Sequence, residues 1–191
     1  MAQKNLLPLI LLGLLRDSKK TGYELKKDFD TEIGEFWSVK HSQIYLELKR
    51  LTELGEINAV TGFFGSKVEK TYYEITKFGK ERFSKWQCSF QNELAVNKDE
   101  FVLKLYFIKD KSDERLGQLL KNQYELHLEK LLHLRQRMKD VFSTIDKDNN
   151  YGHYLILNHA IKREEEYTQW LDDSLKYISV GEEKNKREYI D

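Results

Sequence analysis

Residues 41–76 read HSQIYLELKRLTELGEINAVTGFFGSKVEKTYYEIT, and within this stretch the hydrophobic period changes from helical to extended. In the first part Ile44, Leu48 and Leu51 fall on one stripe, leaving His41, Ser42 and Gln43 on the opening turn and Gly55 as a stop. Beyond it, β-rich runs at Ile57–Thr61 and Lys70–Thr76 enclose a Gly-bounded tip, Gly62-Phe63-Phe64-Gly65-Ser66-Lys67, which predicts a hairpin.

Upstream, LLPLILLGLL (6–15) is too short to cross a bilayer, which takes about 20 apolar residues, and charges stand where a signal peptide needs small residues. It is read as a buried first helix with Pro8 in its opening turn, where the missing N–H costs nothing. Thr21 and Glu24 have capping-box spacing for a second helix along Leu25, Phe29 and Ile33, ended by Gly34. The predicted order is three helices and then a hairpin, the winged helix-turn-helix arrangement.

Downstream only helices are expected: one from Lys77, a short one over Phe101–Ile108, a long one over Asp113–Ile145 and a last one from Tyr151 to Ile178. On the long helix Leu120, Tyr124, His127, Leu131, Leu134, Met138, Val141 and Ile145 alternate steps of four and three, a coiled-coil seam. With no further segment in view to cover that seam, it predicts a second copy of the chain. The class is therefore mostly α, with a winged helix-turn-helix domain at 1–86, a helical dimerisation and effector domain at 87–180, and a flexible charged tail at 181–191.

The 191 residues carry 32 Lys and Arg against 32 Asp and Glu, with one Pro and one Cys. This excludes collagen-like, disulfide-framework and disordered chains, and the lone Cys88 suits a reducing cytoplasm. The zero net charge hides an asymmetry: residues 1–86 hold 15 Lys and Arg against 12 Asp and Glu, and residues 87–191 hold 17 against 20. A weakly basic first half points toward an anionic partner.

A major groove admits one helix, and base edges are read by short polar side chains on its first turns. His41, Ser42, Gln43 and Tyr45 occupy those turns, Lys40, Lys49 and Arg50 stand beside them for phosphates, and Lys67 and Lys70 flank the hairpin tip as a wing requires. The expected partner is double-stranded operator DNA, bound by a homodimer.

Enzyme chemistry finds little support. No GxSxG elbow is present, and GFFG lacks the Lys-Ser/Thr end of a phosphate loop. No Glu stands three residues before a His and no Cys pair exists, so no metal or other cofactor is expected. Trp37 and Phe36 are read as core, His127 as a packed seam residue, His133 and His159 as surface, and Glu164–Glu166 as a solvated run.

The strings GEFWSVKHSQIYLELKRLTELG (34–55), GSKVEKTYYEIT with GKE after it (65–81), DEFVLKLYF (99–107) and YGHYLILNHAIKREEEYTQWLDD (151–173) resemble the PadR family of transcriptional regulators, and within it the repressors that respond to phenolic acids. The likeness spans about residues 6–178 in order. Leu46 departs from it, standing where the family commonly has Pro. What the resemblance implies is a homodimeric repressor on a palindromic operator, released by p-coumarate or ferulate to derepress a phenolic acid decarboxylase gene. A hydroxycinnamate needs a cation, an apolar slot and a polar partner for its phenol. Arg16, Lys104, Tyr106, Phe107, His153 and Tyr154 supply these types within the matching strings. The rival readings are a multidrug-responsive regulator of the same family and a helical adaptor that never touches DNA.

Overall fold

The computed structural model describes residues 5–33, 37, 39–64, 68–94 and 98–188. Phe36 and Lys67 therefore lie outside the described residues. The chain divides into two compact units, Met1–Leu94 and Ala95–Asp191. No helix among the described residues is long and apolar enough to cross a membrane.

In the first unit α1 (Leu7–Leu14) is apolar on nearly every side, and Leu7, Leu9, Leu11 and Leu12 are all buried, with Pro8 in the first turn. α2 (Gly22–Asp28) begins at the expected capping box: the Glu24 N–H donates to Thr21 Oγ1 at 3.2 Å, and the Thr21 N–H donates to Glu24 Oε2 at 2.7 Å. The Thr21 N–H and the Thr21 hydroxyl, which donates to the same Glu24 Oε2 at 2.8 Å, hold the Glu24 carboxyl below its ordinary pKa. The α-helix stops before the expected Ile33 and gives way to a π-helical turn over Phe29–Ile33. The wider turn still delivers the fourfold-spaced Leu25, Phe29 and Ile33 to the core.

α3 (His41–Glu53) buries Ile44, Leu48 and Leu51 completely, and Gly55, at φ 69°, ends it. The hairpin is longer than its sequence suggests. β2 (Ile57–Phe64) pairs antiparallel with β3 (Val68–Ile75) from Ile57↔Ile75 to Phe64↔Val68. A two-residue strand that the sequence did not signal, β1 (Lys20–Thr21), pairs with the far edge of β3, giving the order β1-β3-β2. Two residues are too few to show a period, so this strand was not legible beforehand.

α4 (Lys77–Gln87) is anchored where the hairpin closes. The Thr76 hydroxyl bonds to the carbonyls of Gly55 and Glu56 at 2.8 and 3.0 Å and accepts the Gly79 N–H at 3.2 Å. Beneath it Glu56, 4% exposed, is ion-paired with Arg82. The helix expected from Lys77 ends at Gln87, and beyond it Phe90 and Leu94 are almost fully exposed.

In the second unit α5 (Glu100–Phe107) is capped by Asp99, and α6 (Glu114–Phe142) by Asp113, whose carboxyl is lowered to about 2 by its hydrogen bonds from the Arg115 side chain and backbone. α7 (Tyr151–Glu188) runs past the expected end at Ile178. Its last turns are rich in Glu, Lys and Arg and contain no Pro, so Gly181 alone, costing about 1 kcal/mol, does not stop the helix. The tail expected from 181 is helical through Glu188.

One expectation is corrected here. The α6 seam needs no second chain, because α7 covers it: Phe101, Leu120 and Leu171 form one buried cluster, and Leu134, Val141 and Leu157 another. The pair is antiparallel. On α7 the positions Leu157, Ile161, Glu164, Thr168, Leu171, Leu175 and Ile178 repeat steps of four and three, and Glu164 interrupts the apolar series. Reading Glu164–Glu166 as a solvated run overlooked that heptad. Glu164 is 1% exposed and hydrogen-bonded to His127, with Arg163 at 3.0 Å and Lys130 at 3.5 Å. Glu165 pairs with Arg135 at 2.7 Å, and Glu166 is exposed. His127 is the packed seam residue expected of it, its ring stacked on Tyr167 with centroids 4.0 Å apart.

Candidate nucleic-acid interface

The face that α3 turns away from the core is set by its burial pattern. Ile44, Glu47, Leu48 and Leu51 point inward, so Ser42, Tyr45, Leu46 and Lys49, at spacings of three and four, share the outward side. The chain enters in extended conformation at Lys40. Gln43, three residues on and exposed, accepts the Lys40 N–H at 3.1 Å through its side-chain oxygen, so this amide caps the helix. His41 Nε2 lies 2.9 Å from Asp30 Oδ1, both side chains about half exposed, which ties the helix start to the π-turn.

The basic residues divide by how firmly they are held. Arg50 is fixed by Glu47, 7% exposed, through Nε at 2.7 Å and a second nitrogen at 2.6 Å. That hydrogen bond raises the guanidinium pKa further. Lys49 lies 4.0 Å from Glu53 with both side chains well exposed, a pairing too loose and solvated to hold it. Lys40 is exposed. On β3, Lys70 faces Gly62 across the wing, half-buried, and its charge helps lower the Glu24 pKa.

Tyr45 has a second task. A Cβ built on Gly22 would come within 2.6 Å of the Tyr45 ring, so the ring lies directly on the first residue of α2 and sets how closely α2 and α3 cross. Burial, followed by the neighbouring Tyr45, raises the pKa of Tyr73. Two determinants of this face escaped the sequence: buried Glu47, whose charge looked like surface, and Asp30. The only signal was the Glu47–Arg50 spacing of three on one helix.

The residues expected to bind an effector form separate groups. Arg16, in the first unit, is exposed and paired with Asp17 through two bonds of 2.9 and 3.0 Å. In the second unit Lys104 and Phe107 line a cleft of about 500 Å³ with Ile108, Arg115, Gln118, Leu119 and Asn122. Lys104 also reaches Glu100 at 2.8 Å, and Tyr106 meets Phe107 edge to face with centroids 5.3 Å apart. His153 and Tyr154 instead surround Phe142, each at 5.9 Å. The α5 group packs near Trp170 through Phe101. His153 and Trp170 are separated along α7 by about 25 Å at 1.5 Å per residue. Within one chain the unit therefore keeps the two groups at opposite ends. Arg115, which the sequence reading missed, adds a second cation to the cleft. Among the described residues no group of three His, Cys, Asp or Glu is placed to hold a metal ion.

A helix exposing a polar, basic-flanked face, packed against two others and followed by a β-hairpin, defines a winged helix-turn-helix regulator. Residues 11–85 match the family described as transcriptional regulator PadR-like, and residues 97–179 match the virulence activator alpha C-terminal family. The chain is 38% identical over 172 residues to the negative transcriptional regulator PadR of Bacillus subtilis strain 168, an alignment covering 88% of this chain and 94% of that one. It belongs to the PadR-like family of transcriptional regulators. Its fold is similar to the crystal structure of B. subtilis PadR in complex with operator DNA, with a TM-score of 0.80 and 36% identity over 92% of this chain and 99% of that one. The crystal structure of the same regulator in complex with p-coumaric acid gives a TM-score of 0.77 and 34% identity over the same shares. The Vibrio cholerae virulence activator AphA matches with a TM-score of 0.73 and 25% identity, over 91% of this chain and 98% of that one.

Proposed function

We propose that this chain is a cytoplasmic, homodimeric repressor that binds a two-fold operator through α3 and the β2–β3 wing and is released by a phenolic acid, derepressing a phenolic acid decarboxylase gene. Residues 1–86 form the DNA-binding domain in this reading, and 87–180 the dimerisation and effector domain. The outward face of α3 carries the proposal: Ser42, Gln43 and His41 present hydrogen-bonding groups to base edges, with Lys40, Lys49 and Arg50 beside them for phosphates. Lys67 and Lys70 serve the wing. The B. subtilis relative's complexes with operator DNA and with p-coumaric acid support both halves of the reading.

Dimerisation rests on a different surface from the α6 seam. Leu103, Tyr106 and Phe107 on α5, Leu132 on α6 and Leu155 and Ile156 on α7 are all exposed in the single chain and supply the apolar surface for association. A second copy covers it. Two α3 helices then meet half-sites about 34 Å apart.

For the effector, the cleft beside Lys104 and Phe107 supplies cations for a carboxylate and an apolar wall for the ring. Joining it to His153 and Tyr154 takes two chains. Arg16 is proposed as a further cation for the effector carboxylate. The test is a gel shift with the full-length protein and promoter fragments from its own genomic neighbourhood, titrated with p-coumarate and ferulate. Release by either acid, lost in Arg16→Ala and His153→Ala, is the expected result. Release by neither acid transfers the protein to the multidrug-responsive regulators, and release unchanged in both variants removes those residues from the effector site.

A further inference from the structure

We infer that Leu46 reads a thymine methyl group in the major groove, which makes it a specificity-determining residue of the DNA face. This rests on the reading of α3 as the base-contacting helix. Leu46 is 70% exposed, the most exposed apolar side chain of α3, and lies on the outward side between Ser42 and Lys49, next to Tyr45. A single exposed leucine on a protein surface means nothing by itself. This one stands at the centre of the face that carries the polar and basic groups, so a duplex docked there cannot avoid it.

The chemistry leaves one complementary group. Along a major-groove edge, guanine, adenine and cytosine present only donors and acceptors, and thymine alone adds an apolar methyl. Facing any of the others, Leu46 would strip water from a hydrogen-bonding group and replace it with nothing; facing the methyl it buries apolar surface on both sides. The neighbours do not compete for that position. The Tyr45 ring is held against Gly22, and Gln43 is anchored to the Lys40 N–H. Leu46 is the sixth residue of a helix running from His41 to Glu53, within the first two turns that a recognition helix inserts.

The experiment uses the full-length protein and a random-sequence duplex library to select a consensus site. Each thymine of that site is then replaced in turn by deoxyuridine, which removes only the methyl. One thymine per half-site is expected to lose about fourfold in affinity on replacement, the equivalent of one buried methyl-sized group at about 0.8 kcal/mol. Replacing it in both half-sites is expected to cost about sixteenfold. Leu46→Ala should bind the thymine and deoxyuridine duplexes equally, whereas Leu46→Met, which keeps an apolar tip, should still distinguish them. A Leu46→Ala protein that retains full discrimination overturns the inference, as does a scan in which no thymine responds. A library that yields no consensus refutes base reading by α3 itself, and is told apart from those outcomes because it precedes the scan.

Discussion

His127→Ala tests whether the polar layer between α6 and α7 is a stabilising element. In the native protein the imidazole bonds to a carboxylate that is 1% exposed and stacks on Tyr167 at 4.0 Å. Removing one partner of a buried pair costs about 3–5 kcal/mol, because the other charge stays behind uncompensated. Glu164 keeps Arg163 at 3.0 Å and Lys130 at 3.5 Å, both about half exposed. With that discount, and about 0.5–1.5 kcal/mol for the lost ring contact, the expected loss is about 2–3 kcal/mol. Replacing the whole pair, His127→Leu with Glu164→Leu, should bring stability to within about 1 kcal/mol of the native protein or above it, since two packed leucines need no desolvated charge.

The assay is urea unfolding followed by circular dichroism at one fixed protomer concentration, because association contributes to the apparent stability. Its pH dependence has a defined sign. Burial opposes ionisation of Glu164, but the hydrogen bonds from His127 and Arg163 outweigh it and hold the pKa below the ordinary 4.5. A carboxyl depressed in the folded state stabilises above its unfolded pKa, and that contribution disappears as the pH falls through the folded value. The gap between native protein and His127→Ala should therefore be full at neutral pH and close on acidification below about 4.5. A loss under about 0.5 kcal/mol at neutral pH, or a double variant as unstable as the summed single variants, would refute the reasoning.

Two predictions concern the winged head. A Cβ on Gly79 would stand 2.2 Å from the Glu56 carbonyl oxygen and 2.9 Å from Ile75, so Gly79→Ala should destabilise by about 2–3 kcal/mol, at the upper end of overpacking costs, measured as a drop in the urea midpoint. Arg82→Ala leaves Glu56, 4% exposed, without its ion-pair partner; thermal denaturation should show a loss of about 2–3 kcal/mol, largely restored when Glu56→Gln is added.

The winged head was legible because its signals are local. The capping box at Thr21, the stripe of Ile44, Leu48 and Leu51, the stop at Gly55 and the paired runs of the hairpin each lie within a few residues, and each was found where expected, save that Gly62, Phe63 and Phe64, read as part of the tip, extend β2. β1 was not, since Lys20 and Thr21 become a strand only through Tyr73 and Tyr72, distant in sequence. The α6 seam was read correctly as a heptad through Val141, but it was carried on to Ile145, which lies beyond the helix and is exposed, and it was given the wrong partner. Periodicity states that a face is covered, not by what, and the matching series on α7 was obscured by Glu164 and Thr168. Charge misled in the same way at Glu164, and the burial of Glu47 and Glu56 was not read at all: sequence carries no record of the cation that burial brings to each. The clustering of Lys104 with Phe107 and of His153 with Tyr154 was visible as neighbouring letters, whereas their separation along α7 follows only once α5 is placed beside Trp170.

The central claim, that two copies of α3 meet one duplex, is tested most directly by the salt dependence of DNA binding in native protein and Lys49→Ala. Each neutralised phosphate contributes about −0.9 to the slope of log K against log salt. With Lys49 exposed and only loosely held by Glu53 at 4.0 Å, a two-fold complex predicts a steep native slope that becomes shallower by about 2 in the variant, one phosphate contact from each copy. A slope that does not change, or a native protein whose affinity ignores salt, would contradict it.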